Sequence, residues 1–271
     1  MRQIQELAKY IPPGGLYKFY QTGMMISTER SERETMSHTL EEIRSYWNSR
    51  AEGYTQSNRE ELEGESRIYW EKHITEALRG QDCVRVLDVG CGPGFFSVLL
   101  AKMGHEVTAI DYTENMLTEA RKNAEHYGVQ VHFQQMDAQQ LEFEDNSFDL
   151  VISRNVLWNL EKPEQAYKEW LRVLKPGGIL LNCDGNFYYY VTDAEYGDRT
   201  RWEHKHMNGV CADPIDRIGE SLPMARELRP QWDDRTLRAL GASEVTSEVT
   251  NEKDLEDGHH LILNFVIRAV K

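Results

Sequence analysis

Cysteine is scarce in this 271-residue chain. Its four residues, Cys83, Cys91, Cys183 and Cys211, form no C-x-x-C pair. That spacing speaks against a zinc knuckle and against a disulfide framework, and it fits a reduced cytoplasm. Long apolar runs are also missing. The first thirty residues carry Pro12, Pro13 and several charges, with nothing long enough for a signal peptide or a membrane span. The chain is therefore expected to stay in the cytoplasm, off the membrane. Positive charge is the third shortage: 31 Lys and Arg stand against 45 Asp and Glu, a formal net charge of −14. No basic run stands out, and non-specific nucleic-acid binding rests on Lys and Arg neutralising phosphates. A nucleic-acid partner is disfavoured. Both a monomer and a homodimer fit this composition.

Residues 1–37 read as an N-terminal extension. Pro12-Pro13-Gly14-Gly15 breaks any element there, and Tyr10, Tyr17, Phe19 and Tyr20 suggest a cap or a dimer arm. Residues 38–271 read as the main domain. A helix is expected to begin at Leu40, with Ile43, Tyr46/Trp47 and Arg50 at helical spacing, and a second to run from Ser66 to Leu78. Strands and helices then alternate. Strands are expected at Val84–Val89, Glu106–Asp111, Val129–Met136, Phe148–Arg154 and Ile179–Asp184. Helices are expected at Phe95–Met103, Glu114–Tyr127 (N-cap Thr113, stop Gly128) and Pro163–Leu174 (opened by its proline), with a turn at Lys175-Pro176-Gly177-Gly178. Such alternation implies right-handed βαβ units and a parallel sheet. Residues 186–230 interrupt it as an irregular insertion over the sheet's C-terminal edge. A helix at Trp232–Leu240 follows, then strands Glu244–Thr250 and Leu261–Val270. The acidic loop Asn251–His260 between those strands is too short for a crossover helix, so they pair antiparallel. The fold class is α/β, Rossmann-like and doubly wound: a seven-stranded, mostly parallel sheet with an antiparallel last strand and a lid insertion.

The strongest chemical signal is Leu87-Asp88-Val89-Gly90-Cys91-Gly92-Pro93-Gly94-Phe95, between a strand and a helix. Glycines there let the backbone turn sharply and approach a ligand, and the helix start presents free N–H groups. In open α/β sheets ligands lie at the carboxyl ends of the strands. The dinucleotide fingerprint is G-x-G-x-x-G/A, whereas Gly90, Gly92 and Gly94 follow G-x-G-x-G. With Asp88 the segment resembles motif I of the class I S-adenosylmethionine-dependent methyltransferases. Asp111, about twenty residues on, can accept both ribose hydroxyls, a logic shared with dinucleotide folds, so it does not discriminate. Tyr112 and Met116 can cover an adenine face or belong to the core.

The resemblance extends from Tyr46 to Asp184. It implies that Asp137 and Ala138 read the adenine ring and that Arg154 and Asn155 border the methionine end. It also implies that Tyr46, Arg50 and Tyr54 belong to a segment folding over S-adenosylmethionine, whose product is S-adenosylhomocysteine, and that the glycine loop with Cys91 cradles it. Trp158 either walls the acceptor pocket or packs in the core. The implied activity is in-line methyl transfer to a small-molecule acceptor. The alternatives are an NAD(P)-dependent oxidoreductase and a non-catalytic S-adenosylmethionine-binding module.

On the acceptor side, Tyr188-Tyr189-Tyr190 forms an aromatic wall suited to a cation, with Asp193, Glu195 and Asp198 acidic beside it, or else packs a strand extension. Trp202 is a further acceptor-site candidate. His204 and His206 are candidates for a general base. Their His-x-His spacing supplies only two metal ligands, too few for a metal site, and none is assigned. His259-His260 falls in an exposed loop.

Overall fold

The computed structural model describes residues 15–197 and 206–271, with side chains from residue 39 onward. The chain divides into two compact units, Met1–Glu42 and Ile43–Lys271. A helix, α1, runs over Gly15–Glu63, so helix begins well before the expected Leu40. The helix includes Gly15, the last residue of the Pro-Pro-Gly-Gly cluster. Helix α2 covers Glu65–Ala77.

The alternating region follows the expected order. Strands β1 (Arg85–Val89), β2 (Glu106–Asp111), β3 (His132–Gln135), β4 (Phe148–Arg154) and β5 (Leu174–Gly185) alternate with helices α3 (Phe95–Lys102), α4 (Glu114–His126) and α5 (Pro163–Val173). After the insertion come α7 (Gln231–Ala239), β6 (Glu244–Asp254) and β7 (His260–Val270). The sheet order is β3-β2-β1-β4-β5-β7-β6. The first five strands are parallel, and β7 runs antiparallel to both β5 and β6. The hairpin between β6 and β7 is tighter than expected, because pairing continues to Asp254 opposite His260.

The central strands bury both faces, so their sequence is apolar nearly throughout. Period-two alternation sends Leu87, Val89 and Val151 to one side with Tyr167, Trp170 and Phe265. Val86, Leu150 and Ile152 go to the other with Phe95, Leu99 and Val266.

Three local expectations are corrected. Lys175–Gly178 is not a free turn. It is a bulge inside β5, where Phe148 faces Leu174 but Leu150 already faces Ile179; Gly177 takes the left-handed conformation that L side chains resist (φ 78°). Thr113 sits at the α4 N-cap without a side-chain cap bond. Its N–H donates instead to Asp111 Oδ1 at 2.8 Å. The insertion is not wholly irregular, since it contains α6 (Asp213–Ser221), which sends Ile215 and Ile218 inward.

A buried polar network fixes the end of β5. The Arg229 guanidinium is fully buried. It lies 2.8 Å from Asp184 Oδ2 and grips Asp233 through two bonds at 2.9 and 2.7 Å. The two carboxylates keep it charged against the cost of burial. Tyr167 donates to Asp233, and Asn182 donates to Tyr167 at 2.8 Å. Asp184 also accepts the Trp158 amide at 3.3 Å, tying the 3₁₀ turn Leu157–Asn159 to the sheet. Removing one partner of such a cluster strands the opposite charges. Arg229→Leu is therefore expected to lower unfolding free energy in urea by roughly 3–5 kcal/mol. A loss below about 1 kcal/mol, the size of a surface pair, would show that the cluster does not carry this part of the fold.

Candidate functional site

The site gathers at the carboxyl ends of β1, β2 and β4. After Val89 the chain turns through Gly90, Gly92 and Gly94, all left-handed (φ 64°, 53° and 92°). Close approach also requires glycine at position 90, where a Cβ would lie 2.3 Å from Val156 Cγ2; one on Gly92 would make ordinary contact with the Tyr54 ring at 3.8 Å. The Gly94 amide donates to the Cys91 carbonyl at 2.9 Å. Asn123 donates to the Pro93 carbonyl at 2.9 Å and accepts from Arg59 at 2.8 Å.

Asp111 pins this turn. Its Oδ2 accepts the Gly92 amide at 2.9 Å while Oδ1 accepts that of Thr113. Burial raises its pKa, and those two amides oppose the rise by favouring the carboxylate. Each oxygen keeps acceptor capacity beyond the amide it holds. Asp88, only 2% exposed, accepts from Ser97 Oγ at 2.6 Å. Desolvation pushes its pKa up to about 7, against the Ser97 hydrogen bond and the nearby Arg154 charge. The Cys91 thiol is buried and its pKa is raised well above the usual thiol value.

The expected ring of residues is partly assembled. Tyr54 lies over Gly92 and packs edge-on against Trp47 at 5.8 Å. Tyr112 carries the Arg44 guanidinium over its ring at 5.6 Å. Met116 lies on the buried face of α4. Asp137 bonds the amide and side chain of Gln139 at 2.8 and 3.1 Å, and the Ala138 carbonyl accepts the Trp170 indole N–H at 2.9 Å. Asn155 is left-handed (φ 57°) and donates its amide to the Cys183 carbonyl at 2.8 Å.

Two expectations shift. Arg154 is committed to Glu61 at 2.8 Å and stacks on Phe95 at 4.3 Å, rather than standing open at the methionine end. Arg50, 2% exposed, donates to the His206 carbonyl at 2.9 Å. Tyr46, also buried, stands beside it. The Arg154 expectation came from its place after β4. Arg50 lies one turn before Tyr54 on the same side of α1, but its guanidinium is taken by the His206 backbone.

Trp158 packs into a buried aromatic cluster. It is 8% exposed and contacts Tyr188 at 5.2 Å, Phe187 at 5.7 Å and Trp47 at 6.4 Å. The tyrosine run is no strand extension but a 3₁₀ turn, Tyr189–Val191. The hydroxyls of Tyr188 and Tyr190 donate to Asp216 at 3.2 Å and Glu220 at 2.6 Å, one turn apart on α6. The His206 imidazole pairs with Glu60 at 2.8 Å. Trp202, His204 and Asp198 lie outside the described residues. His260 falls on β7 rather than in a loop, paired with Asp254 at 2.8 Å.

Ser97 and Glu61 were missed by sequence reasoning. Ser97 was findable as the lone hydroxyl in the apolar helix FFSVLLAK. Glu61 sits two helical turns beyond Tyr54, on the same face.

Comparison with known proteins decides the family. A family model described as a methyltransferase domain matches residues 87–182, from Leu87 of the glycine motif to Asn182 in β5. Residues 87–182 carry a methyltransferase domain. The methyltransferase domain's cofactor is S-adenosylmethionine. A demethylmenaquinone methyltransferase of Staphylococcus haemolyticus is 38% identical over 115 residues, 41% of this chain and 48% of that protein. A ubiquinone biosynthesis O-methyltransferase of Coxiella burnetii is 33% identical over 133 residues, 47% and 55% of the two chains. The chain thus spans about half the length of the curated relatives it matches. A Methanococcus maripaludis protein assigned as an S-adenosyl-L-methionine-dependent methyltransferase shares the methyltransferase fold at TM-score 0.56. It is 22% identical over 83% of this chain and 93% of its own.

The carboxyl of Asp88 yields a pH test of this geometry. With a folded-state pKa near 7 and an unfolded value of about 3.9, the folded chain keeps a proton that the unfolded chain releases between about pH 4 and 7. This contribution therefore makes the protein less stable as pH rises through that window, by roughly 4 kcal/mol at most. Asp88→Asn is expected to flatten that part of the urea-unfolding profile. An unchanged slope in the variant would place the titration elsewhere.

Proposed function

We propose that this protein transfers the methyl group of S-adenosylmethionine to a small-molecule acceptor, in the cytoplasm. The observation that carries the cofactor assignment is the left-handed glycine turn pinned by Asp111, with acceptor capacity to spare. Asp88 and Asp111 stand near the ends of β1 and β2, and the nearby Arg154 is already paired with Glu61. An acceptor-rich set suits hydroxyls and an adenine amine. The glycine turn leaves the backbone bare where a ligand must approach.

In this reading Asp111 accepts the ribose hydroxyls, and Asp137 with the backbone at Ala138 reads the adenine. The Gly90–Gly94 turn and Tyr54 enclose the remainder, with Tyr112 and Asn155 at the edges. The cofactor, when bound, would supply a methyl group activated by a positively charged sulfur; the acceptor's nucleophilic atom takes the methyl in line and S-adenosylhomocysteine is the leaving group. The protein's part is to align that atom and exclude water, with a base needed only where the acceptor must lose a proton. Trp158, Tyr188 and Tyr190 wall the acceptor side. Residues 1–37 serve as a cap or dimer arm outside the domain.

Three observations support a small acceptor: the net charge of −14, the aromatic wall, and relatives named for quinone methylation. Among the described residues, no helix is long and apolar enough to cross a membrane. The test is transfer of label from methyl-labelled S-adenosylmethionine to a panel of small amines, thiols, phenols and quinols, run beside bulk RNA and a protein mixture. Label should enter the small-molecule pool. Label confined to RNA or protein would refute the acceptor class while leaving the cofactor standing.

A further inference from the structure

Helix α1 contacts two different parts of the domain through neighbouring residues. Toward the glycine turn it presents Tyr54, over Gly92, and Glu61, bonded to Arg154 at 2.8 Å. Beside it, Arg50, Gly53 and Glu60 receive the segment that leads into α6. The Arg50 guanidinium donates to the His206 carbonyl at 2.9 Å. Glu60 pairs with the His206 imidazole at 2.8 Å. Gly53 makes the approach possible, because a Cβ there would lie 1.8 Å from the His206 carbonyl oxygen and 3.0 Å from Arg50 Nη1. The first obstacle is backbone and the second is a buried guanidinium, so neither yields as a free side-chain end would.

The docked segment is tightly bent. His206, Asn208 and Gly209 all have positive φ (52°, 49° and 81°), and the Val210 amide closes on the Met207 carbonyl at 2.8 Å. Two non-glycine residues held left-handed need their surroundings to keep them there, and the contacts with α1 supply that restraint. Four residues later α6 begins, carrying the carboxylates that hold Tyr188 and Tyr190. The seat on α1 thereby sets where the acceptor-side wall stands.

We infer that Gly53 is a positioning residue through which α1 couples occupancy of the cofactor turn to the order of the 206–212 segment. A ligand pressed against the Gly92 turn and Tyr54 fixes the α1 face beside it. The adjoining side of the helix, with Gly53 and Glu60, then offers a rigid seat for His206. The inference rests on the cofactor reading above, and its test separates the two.

The measurement is amide hydrogen exchange of the full chain with and without S-adenosylhomocysteine, for wild type and Gly53→Ala, with affinity measured separately by calorimetry. Alanine favours helix over glycine, so α1 itself should not loosen. Without ligand, exchange across 206–212 should be about tenfold faster in Gly53→Ala, a change that local opening readily produces. With S-adenosylhomocysteine, wild type should slow about tenfold in 206–212 while Gly53→Ala binds within about threefold of wild type yet gains no such protection. Equal exchange in the two unliganded proteins would overturn the seat. Ligand protection of 206–212 retained in Gly53→Ala, or absent in wild type that binds the ligand, would overturn the coupling. Faster exchange throughout 43–63 would also overturn it, by showing that the substitution had only unfolded the helix. Failure of wild type to bind at all would defeat the cofactor reading and the coupling, while the unliganded comparison still decides the seat.

Discussion

One carboxylate holds the glycine turn in shape. Asp111 ends β2, yet its Oδ2 reaches the neighbouring crossover and takes the Gly92 amide at 2.9 Å. Its other oxygen takes Thr113, which starts α4. Hydrogen bonds to a charged acceptor are each worth about 1.5–3 kcal/mol. Here they oppose the burial that raises the group's pKa. The consequence is a turn shaped before any ligand arrives, with acceptor lone pairs left over. Pre-organisation of this kind reduces what binding must spend on ordering.

Around that point the domain is arranged in two supports. On one side Ser97, Asn123 and Arg59 hold Asp88 and Pro93, so that the turn cannot relax toward the helices. On the other the Asp184–Arg229–Asp233 cluster anchors the end of β5 and, through the Trp158 amide, the aromatic wall. Both supports are buried and polar. Their satisfied bonds give one arrangement rather than many, which suits a reaction limited by alignment. The α1 segment after Ile43 lies along the site's open flank through Trp47, Tyr54 and Glu61.

Much of this was legible in the sequence, and for identifiable reasons. The strands and crossover helices announce themselves because the central sheet is buried on both faces, which demands apolar runs such as Val84–Val89. The glycine turn is legible because three left-handed positions in five residues require glycine. Asp111 follows from its place at a strand end. What was not legible depends on contacts between distant segments. Nothing near Arg50 or Arg154 in the chain tells that their partners are His206 and Glu61, so both were expected at the cofactor. Lys175–Gly178 has the composition of a turn, but its closure onto the last residue of the chain, through Gly177 and Lys271 at 3.0 Å, makes it a bulge in β5. The early part of α1 was missed because residues 16–39 show no clear apolar periodicity.

The account stands most directly on calorimetric titration of the whole chain with S-adenosylhomocysteine and, separately, NADH, for wild type and Asp111→Ala. It predicts micromolar binding of S-adenosylhomocysteine, worth about 8 kcal/mol, no binding of NADH, and loss of at least about a hundredfold in affinity in the variant. Binding of NADH in place of S-adenosylhomocysteine, or an Asp111→Ala protein that binds S-adenosylhomocysteine as tightly as wild type, would contradict it.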